Sequence, residues 1–178
     1  MLKHATNKME NNNPIINKVA TSDLITLDLE DFYPKVDITD FDLKDFLFMG
    51  LVLKEKDFRE SLKTLDWNKY YNKNVAIYCS ADAIVPMWAF MLVAVNLSGV
   101  ANYYRFGTSE ELIEDLFFQT LKNIRPETYR DKKVLVKGCS TKEVAASVYV
   151  EVARILLPHV KSLMYGEACS NVPLMKRR

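Results

Sequence analysis

The sequence has no surplus of either charge, no apolar run long enough to cross a bilayer, and no even set of cysteines. Each lack removes a class of function. Lysine and arginine total 24 against 23 acids, so no positive field draws a polyanion to the surface, and nucleic-acid binding has no electrostatic support. The longest apolar stretch, Ile84 to Val95, covers about a dozen residues where a spanning helix needs about 20; it reads as a buried helix, and no membrane association is expected. The first twenty residues carry Asn11, Asn12 and Asn13 and no apolar core of a secretory signal, so residues 1–16 are expected to form a flexible tail before one domain over 17–178. Three cysteines without an export signal point to a reducing, cytoplasmic setting in which the thiols are free, liganded or reactive. Also missing are a Gly-rich phosphate loop, a Ser, His, acid triad and catalytic carboxylates at a meaningful spacing.

What is present is a regular alternation of strands and helices in a chain of 178 residues, 49% of them apolar, enough for one sizeable core. Leu24 to Phe32 alternates apolar and polar residues as a half-buried strand does, and Pro34 ends it. Ile38 to Leu53 has no clear period. The acids Asp28, Glu30, Asp31, Asp37, Asp40, Asp42 and Asp45 crowd this region and read first as a solvated face. From Lys54 a helix turns Phe58, Leu62 and Leu65 inward, and Val75 to Tyr78 forms a strand. A helix over Val85 to Leu97 carries Pro86 in its first turn and is apolar nearly all round, which predicts cover on both sides. A strand over Asn102 to Phe106 follows.

The order then repeats. Thr108 and Glu111 make a capping box opening a helix with Leu112, Ile113, Leu116, Leu121 and Ile124 inward. Lys133 to Lys137 forms a strand, Ser140 and Glu143 read as a second capping box, and Val144, Val148, Val152, Ile155 and Leu156 mark a helix ended by Pro158. Val160 to Tyr165 is the last strand expected. A shift of 59 pairs Phe58 with Phe117, Leu62 with Leu121, Tyr70 with Tyr129, Val75 with Val134 and Gly107 with Gly166. The chain is therefore expected to be a duplicated αβαβ unit, repeats 54–107 and 113–166, folded as a doubly wound, mostly parallel Rossmann/flavodoxin-like sheet with an N-terminal strand extension. Gly138 reads as one inserted residue that brings Cys139 into line with Cys79. If the halves meet about a pseudo-twofold axis, the strands before these cysteines lie side by side, where such sheets bind ligands.

Each cysteine lies just past the carboxyl end of an expected strand and is followed by serine: Cys79-Ser80, Cys139-Ser140 and Cys169-Ser170. At the first two, the serine is expected to cap the next helix while the sulfur faces its positive end, which favours the thiolate. Converging thiolates need a cation among them, and soft sulfur selects zinc, copper(I) or an iron–sulfur cluster. Cys79, Cys139 and Cys169 are thus the expected metal ligands, with Asp82, Glu167, a serine hydroxyl or solvent as candidates for a fourth position that neither histidine is placed to fill. The competing readings are a persulfide sulfur-transfer enzyme using one of these thiols, and a binding domain with inert cysteines. The apolar helix over Val85 to Leu97 also leaves room for a homodimer.

At Leu27-Asp28-Leu29-Glu30-Asp31-Phe32-Tyr33-Pro34, Lys54-Glu55-Lys56-Asp57-Phe58-Arg59, Cys79-Ser80-Ala81-Asp82-Ala83-Ile84, Lys137-Gly138-Cys139-Ser140, and Gly166-Glu167 through Cys169-Ser170 to Val172-Pro173-Leu174, the sequence resembles an uncharacterised bacterial family of about this length, a domain of unknown function. The resemblance runs from about Asn17 to Lys176. It implies genes lying near those of the Suf-type iron–sulfur assembly machinery, hence a role beside iron–sulfur assembly proteins.

Overall fold

The computed structural model describes residues 24–138 and 142–177, so the expected tail, Cys139 and the cap residue Ser140 lie outside the described residues. The fold is mixed α/β, with parallel pairing in two sheets rather than the single sheet expected. The three-stranded sheet has β2 (Ile38–Asp42), β3 (Asn74–Tyr78) and β4 (Tyr103–Phe106) in that order, all parallel. The four-stranded sheet joins β1 (Leu24–Asp28), β5 (Lys133–Lys137) and β6 (Ser162–Glu167) in parallel and ends on β7 (Ser170–Lys176), antiparallel to β6. The strands leading to Cys79 and Cys139 are therefore not neighbours: β3 lies between β2 and β4, and β5 between β1 and β6.

Among the described residues, four helices cover the sheets: α1 (Glu55–Thr64), α2 (Met87–Leu97), α3 (Ser109–Leu121) and α4 (Ala146–Leu156). Phe58 and Leu62 of α1 and Ala89, Val93 and Leu97 of α2 pack on Phe41, Val75 and Ile77, one face of the smaller sheet. Its other face is covered by α3, whose Leu112 and Leu116 meet Ala76. The far side of α3 gives Phe117 and Leu121 to the second core, with Val148 and Val152 of α4 and Leu27, Val134, Val136 and Leu163 of the larger sheet. One helix thus serves two sheets, which explains why its apolar residues exceed a single stripe. The Thr108–Glu111 capping box opens α3 as expected.

The two halves match position by position at an offset of 59. β3 and β5, α2 and α4, and the 3-10 turns Trp67–Tyr70 and Pro126–Tyr129 all start and end in step. Asn72 and Asp131, also 59 apart, both take positive φ (56° and 59°), and their amides donate to the carbonyls of Val100 and His159, again 59 apart. Both connections into the second helix of a half span eight residues, 79–86 and 138–145. Gly138 is consequently no insertion: it, and not Cys139, stands where the first half has Cys79.

The stretch without a clear period, Ile38 to Leu53, holds β2 and a 3-10 turn, Leu43–Phe46. That pair repeats β1 and its own turn, Leu29–Phe32, at an offset of 14. Each half thus gains a strand before its αβαβ core. The second half is discontinuous, since β1 joins β5 while the whole first half is inserted between them.

Three further expectations fail on local structure. α2 is not covered on both sides: Met87, Met91 and Val95 are 71%, 68% and 70% exposed. Ser80 does not cap a helix, because α2 starts only at Met87 behind Pro86, with no side-chain cap; α4 starts at Ala146 behind Ala145, and Ser140 lies outside the described residues. The strand expected over Val160 to Tyr165 is not the last, because β7 follows it.

Candidate functional site

In parallel sheets, ligands gather at the carboxyl ends of the strands, where loops diverge and backbone donors and acceptors leave the ladder. Both sheets build a polar cluster there from the same sequence unit. Asp28 ends β1, and its carboxylate accepts the Glu30 amide at 3.0 Å; Asp42 ends β2 and accepts the Lys44 amide at 3.0 Å. The turn that follows is Leu29–Phe32 in one case and Leu43–Phe46 in the other. In each, the aspartate ties down an amide that the short helix cannot satisfy.

At the smaller sheet, Asp42 also accepts from the Ser80 hydroxyl at 2.6 Å and the Ser80 amide at 3.0 Å, and pairs with Lys44 at 3.2 Å. Burial pushes the Asp42 carboxyl up, but the bonds from Ser80 and Lys44 outweigh it, so its pKa lies below the ordinary aspartate value. Asp40 accepts from Ser109 at 2.7 Å. Burial, with the charge and hydrogen bond of Asp40, raises the Tyr78 phenol. Asp40, Asp42, Lys44 and Tyr78 rim an open cavity of about 280 Å³ that also reaches Lys69 and Tyr70. Cys79 stands next to Ser80, half-buried, its thiol 3.7 Å from the Ala81 carbonyl to which it donates. Ser80 therefore anchors the loop to β2, which is the use the structure makes of the first Cys-Ser pair.

At the larger sheet, Asp28 pairs with Lys137 at 2.9 Å. The hydrogen bond and charge of Asp28 hold the Lys137 ammonium above its ordinary pKa, and Glu167 and Glu30 add to the effect. Lys137 occupies the place that Tyr78 has in the other half. Gly138 follows it, its carbonyl bonded to the Tyr149 hydroxyl at 2.7 Å. Glu167 ends β6, and Cys169 sits exposed in the turn into β7.

Of the expected ligands, the larger sheet brings Glu167 and Cys169 to the carboxyl edge at which Gly138 leads into Cys139. Cys79 and the exposed Asp82 belong to the edge of the other sheet. Among the described residues, no three His, Cys, Asp or Glu side chains come close enough to hold a metal ion, and Cys139 lies outside those residues. Reading the sequence for cysteines missed Asp28, Asp42 and Lys137. The signal for the aspartates was on the page, since Asp28-Leu29-Glu30-Asp31-Phe32 recurs as Asp42-Leu43-Lys44-Asp45-Phe46. Among the described residues, no helix is long and apolar enough to cross a membrane.

Comparison with curated proteins and with solved structures finds no match. A family model described as "Protein of unknown function (DUF2480)" matches residues 13–177, nearly the whole chain, and the chain belongs to that family.

Proposed function

We propose that the carboxyl edge of the four-stranded sheet is a thiol site, in which Cys139 and Cys169 with Glu167 bind zinc, iron or an iron–sulfur cluster, and that the protein is a cytoplasmic accessory factor in metal or iron–sulfur handling. The observation that carries this reading is the adjacency of β5 and β6. Val136 and Tyr165 lie in register, so the chain leaves the sheet at neighbouring points toward Cys139 and, through Glu167, toward Cys169. Lys137 feels the Glu167 charge, which supports a shared edge. Cα atoms joined by a trans peptide are about 3.8 Å apart, so Cys139 cannot stray far from Gly138. Two thiols and a carboxylate suit a borderline-soft cation and leave a position for a further ligand, from Cys79 or from a partner such as an iron–sulfur assembly protein. We further propose that the matching halves arose by duplication of a Rossmann/flavodoxin-like unit; the shared offset of strands, helices and positive-φ turns supports it.

Protein purified without oxygen should carry metal or take up iron or zinc, and should lose it in Cys139→Ala and Cys169→Ser while keeping its far-ultraviolet circular dichroism. Wild-type protein that binds neither ion under these conditions would overturn the reading. Metal-free protein that instead accepts sulfur from a persulfide donor at one of these thiols would replace it with sulfur transfer.

A further inference from the structure

The three-stranded sheet stops at β4, and among the described residues no strand pairs with the outer edge of Tyr103–Phe106. The other half shows what the corresponding edge carries. There β6 takes β7 as an antiparallel neighbour, and β7 sets Val172 and Leu174 opposite Ala146, Tyr149 and Ala153 of α4, around an apolar cavity of about 360 Å³. At those helix positions the first half has Met87, Phe90 and Ala94. The correspondence extends to geometry: Phe90 meets Phe106 edge to face at 5.1 Å and 88°, as Tyr149 meets Tyr165 at 5.6 Å and 82°. With no counterpart of β7, Met87 and Phe106 are 71% and 65% exposed.

We propose that β4 pairs antiparallel with β4 of a second copy of this chain, joining two three-stranded sheets into one of six strands and packing α2 against its twofold mate. A twofold axis perpendicular to the sheet keeps both α2 helices on the same face. Because α2 packs on β3 and β4 together, its axis runs about half a strand spacing inside the edge. With strands about 4.8 Å apart, the two helices come to lie about 10 Å apart, a normal helix-packing distance.

The side of α2 turned to the edge is that of Met87, Phe90 and Ala94, since Trp88 points the other way, onto Phe58 of α1. Ala94 leaves room for close approach. No residue from Met87 to Leu97 is charged, so an antiparallel contact of α2 with itself brings no like charges together. The one cation on the edge, Arg105, is already engaged within its own chain, donating to the Phe106 and Glu111 carbonyls and lying 4.0 Å from Asp115. The edge therefore offers a charged partner little to read and a copy of itself much to bury. Residues directly opposite must share a face, and with Tyr104 on the axis Arg105 falls across from Tyr103 of the partner subunit and not from another Arg105.

Light scattering on the eluting full chain should give twice the 20.5 kDa chain mass at about 50 μM, a concentration at which even a micromolar dimer is mostly formed. Met87→Asp and Phe106→Glu, both at exposed positions, should each raise the dimer dissociation constant by about a hundredfold or more. They should keep the wild-type circular dichroism and speed amide exchange in β4. Val150→Asp, 70% exposed on α4, should leave the dimer intact. Wild-type protein that stays monomeric, or a dimer indifferent to both substitutions at the β4 edge, would overturn the proposal.

Discussion

Asp28 and Asp42, fourteen residues apart in the chain, hold the same position in two different sheets. Each ends an edge strand, accepts the amide two residues ahead at 3.0 Å, and meets a residue of the next strand over, Lys137 for Asp28 and Ser80 just past β3 for Asp42. The strand-and-turn unit is thus a clamp that fastens the start of each half to the loop leaving its central strand.

The clamp makes stability depend on pH in a defined direction. The Asp42 carboxyl has its pKa lowered in the folded protein, so its contribution is fully present above the unfolded-state value. That contribution is lost as pH falls through the folded-state value. In urea melts, the stability difference between wild type and Asp42→Asn should be constant from about pH 7 to 5 and shrink between roughly pH 4 and 2. A difference that grows on acidification would contradict this. Ser80→Ala, which leaves the carboxylate one charge-assisted bond short, should cost about 1–2 kcal/mol at neutral pH.

The shared helix gives a second expectation. Leu112 is fully buried against the smaller sheet, and Phe117 is 1% exposed in the core of the larger one. Each truncation to alanine opens a cavity, at about 2–5 kcal/mol for Leu112→Ala and 3–5 kcal/mol for Phe117→Ala. Because α3 packs into both cores, denaturation followed by Trp67 and Trp88 in the first half should shift even for Phe117→Ala. Fluorescence that stays at the wild-type midpoint while circular dichroism shifts would mean that the halves unfold independently.

Elements were legible where a single period ruled. Val75 to Tyr78, Lys133 to Lys137 and the Thr108 cap could be read because local pattern and burial agree there. The split into two sheets was not legible, since βαβ alternation is the same whether consecutive strands join one sheet or two. β2 was hidden because its only fully buried side chain is Phe41 and its turn follows after five residues. The hairpin into β7 was hidden too: Pro173 sits inside it, tolerable at an edge strand but a reason to doubt a strand from sequence alone. For the cysteines, position past strand ends was correct for Cys79 and Cys169, but the inference that Ser80 caps a helix failed because an eight-residue loop separates β3 from α2.

Thiol chemistry should rank the described cysteines. Cys169 is exposed in the β6–β7 turn, whereas Cys79 is half-buried, packs against the first core and donates to the Ala81 carbonyl. Limited alkylation at neutral pH, mapped by peptide mass, should label Cys169 well before Cys79. Faster labelling of Cys79 would show that its loop opens readily in solution.

The turn that presents Cys169 depends on Gly166. Its φ of +117° lies where side chains are rarely tolerated, and a Cβ there would come within 2.7 Å of the Ser170 carbonyl oxygen, a backbone atom of the facing strand with little room to yield. Gly166→Ala should therefore cost about 1–3 kcal/mol and loosen the pairing of Gly166 with Asn171 and of Glu167 with Ser170. The damage should stay local. Amides of β7 should exchange faster while those of β3 keep their protection, and the metal uptake proposed for Cys169 should weaken with the hairpin. The corresponding Gly107, which holds a similar φ of +129° in the first half, makes the control: an added Cβ there meets the Glu111 side chain. Gly107→Ala should disturb the α3 capping box without changing β7 exchange. If both substitutions weakened metal uptake equally, the effect would come from global destabilisation, and the hairpin would have no special part in positioning the thiol.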